Sequence, residues 1–324
     1  MKAKIKFTFS GVLLCLLAAC GSGTAVTSAP AGAAVVPRPL GVQDPAVIPS
    51  ATAAAPATCD PRLSRRPPST ASAAGQMPAG TTMAAIQSRG RLVVGVDQNT
   101  YLFGFRDPST GQIVGFDIDI AREIAKAIFG DPDKVQLVAI TSAQRIPLVS
   151  SGKVDIVADS MTITCARLQQ VAFSSDYFDA GQKILVAKNS PFKSIGDLGG
   201  KKVCAAAGTT SIQTLAEAPS KPIPVAVNDW TDCMVLIQQG QVDAISTDDN
   251  ILAGMAAQDP GLQVVGDRFT DEPHGLAIKK ENIDFVRFVN GVLDQMRSDG
   301  RWAGIYQKWM GAPVPAPPPS QYLD

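Results

Sequence analysis

From about Thr81 to Met310 the sequence predicts an α/β protein whose sheets run parallel and are covered by helices on both faces. The main observation is alternation: short apolar runs of strand length are followed, again and again, by amphipathic stretches of helix length. The second is length, since 324 residues suffice for two domains. No internal repeat of fixed period appears. With 29 basic and 29 acidic residues the formal charge balances, so no field draws the chain toward nucleic acid or a membrane surface.

In order, a short helix is expected over Met83–Ser88, then a buried strand, Leu92–Val96, ending at Asp97. Phe116 to Ile128 carries Ile120, Ile124, Ala127 and Ile128 on one helical face. Val135 to Ile140 is a strand, and Thr141 to Ser151 holds a short helix entered near Pro147. Val154 to Ala158 reads as another buried strand, and Ile184 to Ala187 as a chain crossing between lobes. A second unit follows, with strands at Lys202–Ala206, Pro224–Val227 and Ala244–Thr247. Its helices are expected at Thr210–Ala218, Asp229–Gln239 and Asp249–Ala257. Gly240 stands where a helix C-cap glycine belongs. Leu276–Ile278 is a strand, and Ile283 to Met310 makes one or two closing helices.

Both ends read as something other than fold. Lys2, Lys4 and Lys6 precede an apolar run, Phe7 to Leu17, too short to span a bilayer. The run ends in Leu17-Ala18-Ala19-Cys20, which resembles the bacterial lipobox, in which the cysteine is lipidated and becomes the first mature residue. Residues 1–19 are therefore expected to be a signal peptide, and Cys20 to hold the chain to the cell membrane from outside the cytoplasm. Residues 20–80, rich in Ala, Pro, Ser, Thr and Gly, are expected to form a flexible tether reaching roughly 40–45 Å, with its last part, Cys59 to Pro68, stapled to the body through Cys59. Residues 313–324 are expected to be a loose tail. Cys59, Cys165, Cys204 and Cys233 remain, an even number that in an oxidising compartment argues for two disulfides with three possible pairings. Of these the expectation is Cys204 with Cys233 and Cys59 with Cys165, because the first two fall within one predicted lobe. No spacing is C-x-x-C, so a zinc site is not expected, and no cofactor is implied.

Chemistry concentrates at Ser160-Met161-Thr162-Ile163-Thr164-Cys165-Ala166-Arg167, after a buried strand. Alternating hydroxyl residues at a strand end present hydroxyls and N–H groups on one side, and the planar fork of Arg167 matches a carboxylate. A surface arginine capping a helix is the competing reading. His274 is the one histidine in the chain, and the sequence holds no nucleophile elbow, H-E-x-x-H or phosphate loop.

Gly115-Phe116-Asp117-Ile118-Asp119-Ile120-Ala121-Arg122-Glu123-Ile124-Ala125-Lys126-Ala127-Ile128 resembles the signature of extracytoplasmic solute-binding proteins for polar amino acids, which serve ATP-binding-cassette importers. The resemblance covers the body from about Thr81 to Met310. It implies two lobes of the periplasmic-binding-protein (venus flytrap) type, joined by two crossing strands and closing on ligand. Residues 81–180 and 272–312 would form the first lobe and 181–271 the second. Asp117 and Asp119 are read as fold markers at a helix start, not as ligands. Position by position, Arg167 matches the arginine that grips the ligand α-carboxylate, and Thr162 the threonine that assists it. Ser160 sits where a backbone carbonyl meets the α-ammonium, and Asp248 matches the aspartate that pairs with that ammonium. Asp249 is read as an N-cap. Thr209 and Thr210 open a helix whose N-terminus suits an anion. His274 is either a pocket-wall hydrogen bonder or a core filler.

Thr141 to Leu148 is similar to the stretch in glutamate/aspartate-binding members in which the arginine, here Arg145, meets the side-chain carboxylate. Asp97 pulls the other way, because glutamine-binding members have an aspartate there that accepts from the side-chain amide. The resemblance thus implies a monomeric binding protein, not an enzyme. It would take L-glutamate and L-aspartate best, L-asparagine or L-glutamine more weakly, and present its closed state to a membrane permease. A membrane sensor as partner, or a dehydratase-like enzyme on the same fold, are the alternatives.

Overall fold

The computed structural model describes residues 36–48, 59–70 and 72–324; the expected signal peptide and Cys20 lie outside them. Two five-stranded sheets each carry their own core. The first runs in the order 135–139, 92–96, 156–157, 277–279, 171–173, and the second in the order 223–227, 202–206, 244–248, 182–187, 262–265. Leu92, Val94 and Ile156 of the first sheet pack with the helix Phe116–Phe129, whose Ile120, Ile124 and Ile128 are fully buried. In the second lobe, Leu185, Val203 and Ile245 pack with Leu215 and Leu236 from its helices.

Neither sheet is all parallel, contrary to expectation. Ala277–Lys279 runs antiparallel to both neighbours, and so does Gln182–Ala187. The cause is common to both. Each strand follows directly on a crossing between lobes and so enters its sheet from the opposite end to the βα units around it. The crossings are Phe178–Ala180 and Glu272–His274, paired antiparallel with His274 opposite Phe178. Ile184–Ala187, expected to cross, lies instead inside the second sheet. Aromatic packing fixes the start of the first crossing strand: the Phe178 ring meets Phe116 edge-on at 5.3 Å and stacks on Tyr306 at 5.8 Å.

The closing region is two helices, Ile283–Ser298 and Arg301–Met310, separated where Gly300 adopts φ 84°. A residue with a Cβ is strained in that left-handed region, which is why the break falls on glycine. A small three-stranded sheet, Asn99–Thr100, Gly104–Arg106 and Ile113–Val114, was not expected from the sequence.

Both disulfides form as expected, Cys59 with Cys165 and Cys204 with Cys233. The second joins strand 202–206 to helix Trp230–Gln238 across 29 residues inside the core. Loop closure of that length contributes about 3–4 kcal/mol in the chain-entropy model.

Two expectations are corrected. The described parts of the segment read as a tether are docked on the body. Gln43 exchanges backbone hydrogen bonds with Ala226 (2.9 and 3.0 Å), extending the edge of the second sheet, and Leu63–Ser64 pairs with Gln321–Tyr322. The tail read as loose is also held: Tyr322 donates its hydroxyl to Asp294 (2.5 Å), and Asp324 pairs with Arg287. Composition indicated that neither segment builds a core. Cys59 signalled the fastening of residues 59–68, which the disulfide to Cys165 bears out, but nothing signalled that residues 36–48 and the C-terminal tail would be held by a few backbone pairings and charged contacts.

Candidate functional site

The cavity between the lobes is lined from one side by Thr100, Ser142, Arg145, Asp159, Ser160, Thr162 and Arg167. From the other side come Thr209, Thr210, Ser211, Trp230, Thr247, Asp248 and Ile251. The lobes are closed on it. A Cβ at Gly208 of the second lobe would fall 2.7 Å from the Ala143 Cα of the first, so the approach requires glycine.

Arg167 sits in a one-turn helix, Cys165–Leu168, whose N-cap Thr164 accepts from the Arg167 N–H (3.2 Å). Its guanidinium donates to the Thr162 carbonyl (2.6 Å) and, across the cleft, to the Gly208 carbonyl (3.3 Å). Arg145 opens the helix Arg145–Ser150 and donates to the carbonyls of Ser142 (3.0 Å), Asp159 (2.9 Å) and Gly208 (3.5 Å). The two guanidiniums therefore face one point. Both are buried, Arg145 to 4% exposure and Arg167 to 8%. Burial, with Arg145 as neighbour, pushes the Arg167 guanidinium down to about 9. A buried pair of like charges at this spot is relieved by an anion held between them.

Ser160 takes φ 40°, a left-handed conformation that a residue with a Cβ rarely adopts. Asp117 holds it there, accepting from the Ser160 N–H (2.8 Å) and hydroxyl (3.1 Å) and from the Tyr177 hydroxyl (2.7 Å). Asp117 thus acts behind the site, while Asp119 accepts from the Trp309 indole (2.7 Å) and serves the fold. With its N–H and hydroxyl engaged, Ser160 has its carbonyl left to offer.

On the opposite wall, Asp248 ends strand Ala244–Asp248. One of its oxygens lies 2.8 Å from His274 Nε2, and the other is buried with no hydrogen-bond partner among the described residues. His274, fully buried on a crossing strand, is a hydrogen bonder behind the wall and not part of it. Thr209 is the helix cap, accepting from the Ile212 N–H (3.3 Å). Thr210 donates to Glu272 (3.0 Å), so the 3.3 Å contact of Thr162 with Thr210 runs from Thr162 as donor. Asp249 is the first helical residue and not the N-cap, a position Asp248 fills; Asp249 pairs with Arg268.

The structure brings Arg145, Ser160, Thr162, Arg167, Thr209, Thr210 and Asp248 to one cavity, but Asp97 stands behind it. The Asp97 carboxylate is engaged within its own turn, accepting from the Asn99 N–H (2.7 Å) and the Thr100 hydroxyl (2.5 Å), and burial pushes its pKa up. Thr100 reaches the cavity in its place. Sequence reasoning missed Asp159 and Glu272. Asp159 lines the cavity 3.9 Å from Arg145, one of its oxygens has no hydrogen-bond partner among the described residues, and burial holds its pKa well above the usual carboxylate range. Its signal was available as an acid closing the apolar run 154–158. Glu272 lies on a crossing strand with no such local cue.

A two-lobed α/β body with paired arginines and an acid facing each other across a closed cleft defines a small-molecule binding protein of the flytrap class. The chain belongs to the bacterial extracellular solute-binding proteins, family 3, whose model matches residues 92–312. It is 44% identical over 230 residues to the ABC transporter glutamine-binding protein of Bacillus subtilis (strain 168), covering 71% of this chain and 84% of that one. Against the glutamate/aspartate import solute-binding protein of Salmonella typhimurium it is 29% identical over 252 residues, covering 74% and 83%. Among solved structures, an ancestral arginine-binding protein bound to glutamine matches with TM-score 0.65 at 38% identity, covering 69% of this chain and 99% of that one.

Proposed function

We propose that the protein captures an acidic amino acid, L-glutamate or L-aspartate, ahead of L-asparagine and L-glutamine, and presents it to the permease of an ATP-binding-cassette importer. The observation that carries this is that two buried guanidiniums, Arg145 and Arg167, line one cavity together with Asp248. Arg167 takes the α-carboxylate, and the free oxygen of Asp248 with the Ser160 carbonyl takes the α-ammonium. Arg145 takes the side-chain carboxylate. Withdrawal of Asp97 into its own turn supports the acidic ligand, since that carboxylate no longer faces a side chain in the cavity. Ligand contacts come from both lobes, so ligand favours the closed state over the open one. Residues 81–180 with 272–312 and residues 181–271 are the two bodies that move.

An amide ligand is the second reading. Asp159 beside Arg145 balances its charge when ionised, which would leave no excess positive charge for a side-chain carboxylate. The Bacillus relative's name also favours it. Trp230 lines the cavity, where a bound ligand would lie beside its indole. Added L-glutamate is expected to change tryptophan emission in the parent protein and much less in Trp230→Phe. A flat response of the parent to both acids and both amides would sink the proposal.

Attachment to the membrane through lipid on Cys20 completes the reading, supported by the Leu17-Ala18-Ala19-Cys20 sequence. Cys20→Ser should move the protein from the detergent phase to the aqueous phase in detergent partitioning, because no second anchor is proposed. An unchanged membrane fraction would count against the lipid.

A further inference from the structure

Residues 59–66 lie outside the family match, yet they run along the segment that carries Arg167 at one end and the first crossing strand at the other. Three contacts stitch them to it. Cys59 is bonded to Cys165, the first residue of the helix that bears Arg167. Ser64 donates to the Phe173 carbonyl (2.9 Å). Arg62 then gathers three carboxylates: Asp176, just before the first crossing strand; Asp179 within it (2.6 Å); and Asp271, just before the second (2.7 Å). Asp176 in turn accepts from the N–H of Phe178, where the first crossing strand begins (3.1 Å).

The helix pinned by Cys165 has four residues, too few to hold its shape without tertiary anchors. Burial, with Asp179 as neighbour, pushes Asp176 up to about 8, and the Arg62 charge acts against that rise. A single guanidinium can bridge several carboxylates because its five donors are fixed in a plane.

From this arrangement we infer that the strap 59–66 positions the ligand grip: the Cys59–Cys165 bond sets the Arg167 helix, and Arg62 locks the two crossing strands in the closed register. Cys59 and Arg62 are thus positioning residues for ligand capture that touch no ligand. The inference rests on the ligand site proposed above, and its test separates the two.

Titration calorimetry with L-glutamate is to be run on the parent, Arg62→Ala, Arg62→Lys, the double variant Cys59→Ser/Cys165→Ser, and Arg167→Ala, each shown folded by circular dichroism. Arg62→Ala should weaken binding roughly five- to tenfold, mainly through faster release, with Arg62→Lys falling between it and the parent. The double variant should weaken binding to a similar degree. A purely structural role would lower the unfolding midpoint and leave the dissociation constant of the folded protein unmoved. Dissociation constants within roughly twofold of the parent for both strap changes, with Arg167→Ala abolishing binding, would overturn the strap and leave the site standing. Unchanged binding in Arg167→Ala would overturn both. Should the double variant not fold, Arg62→Ala alone decides.

Discussion

Arg167→Ala is expected to abolish measurable capture of the ligand while the protein still folds. The side chain is buried in the cavity wall, with its hydrogen bonds going to the carbonyls of Thr162 and Gly208. Neither bond belongs to a sheet ladder, and the residue lies outside both large apolar cores. Truncation therefore removes a charge without opening a hydrophobic void. The bound α-carboxylate, by contrast, would sit in a closed cleft without its partner. Breaking such a buried pair costs about 3–5 kcal/mol. That is on the order of a hundred- to a few-thousand-fold in dissociation constant. Calorimetry showing less than about a tenfold loss would mean that Arg167 does not hold the carboxylate.

The second large effect is one of discrimination. Arg145→Ala should weaken L-glutamate and L-aspartate by roughly ten- to a hundredfold, the worth of a hydrogen bond to a charged group. L-asparagine and L-glutamine should lose much less, because a neutral amide gains less from a guanidinium. The fold tolerates the change, since alanine at the start of helix Arg145–Ser150 is a good helix former. The neighbouring acid does not reverse the sign. Asp159 already has its pKa raised by burial, and the charge of Arg145 is what opposes that rise. Without Arg145, Asp159 takes up a proton more readily, so it adds no new repulsion toward a ligand carboxylate. Equal losses for acids and amides would show that Arg145 does not read the side chain.

Much of this was legible in the sequence because the relevant patterns are local. Strand Lys202–Ala206 has the expected bounds, and the helix with Ile120, Ile124 and Ile128 on one face differs by one residue, because periodicity and a glycine stop define it. The strand direction in the sheets was not legible. Antiparallel entry of 182–187 and 277–279 depends on where the chain changes lobe, and a run such as Ile184-Leu185-Val186 reads the same in either direction. The sheet of two- and three-residue strands between Asn99 and Val114 is too short to show alternation. In the site, Arg145, Arg167 and Asp248 were legible through the stretches that carry them. Asp97 was legible as a residue at a strand end but not in its direction. Its short bonds to Asn99 and Thr100 are a turn preference that competes with any ligand. Asp159 joins the site, and Glu272 comes to hold Thr210 from behind it, only through contacts across the fold.

Titration calorimetry of the purified protein against the twenty amino acids, at neutral pH, tests the central claim most directly. L-glutamate and L-aspartate should give the tightest binding, L-asparagine and L-glutamine should bind more weakly, and L-arginine and L-lysine should give no heat beyond dilution. A clear preference for a basic or an apolar amino acid would contradict the account, because it would leave Arg145 with no ligand carboxylate to hold.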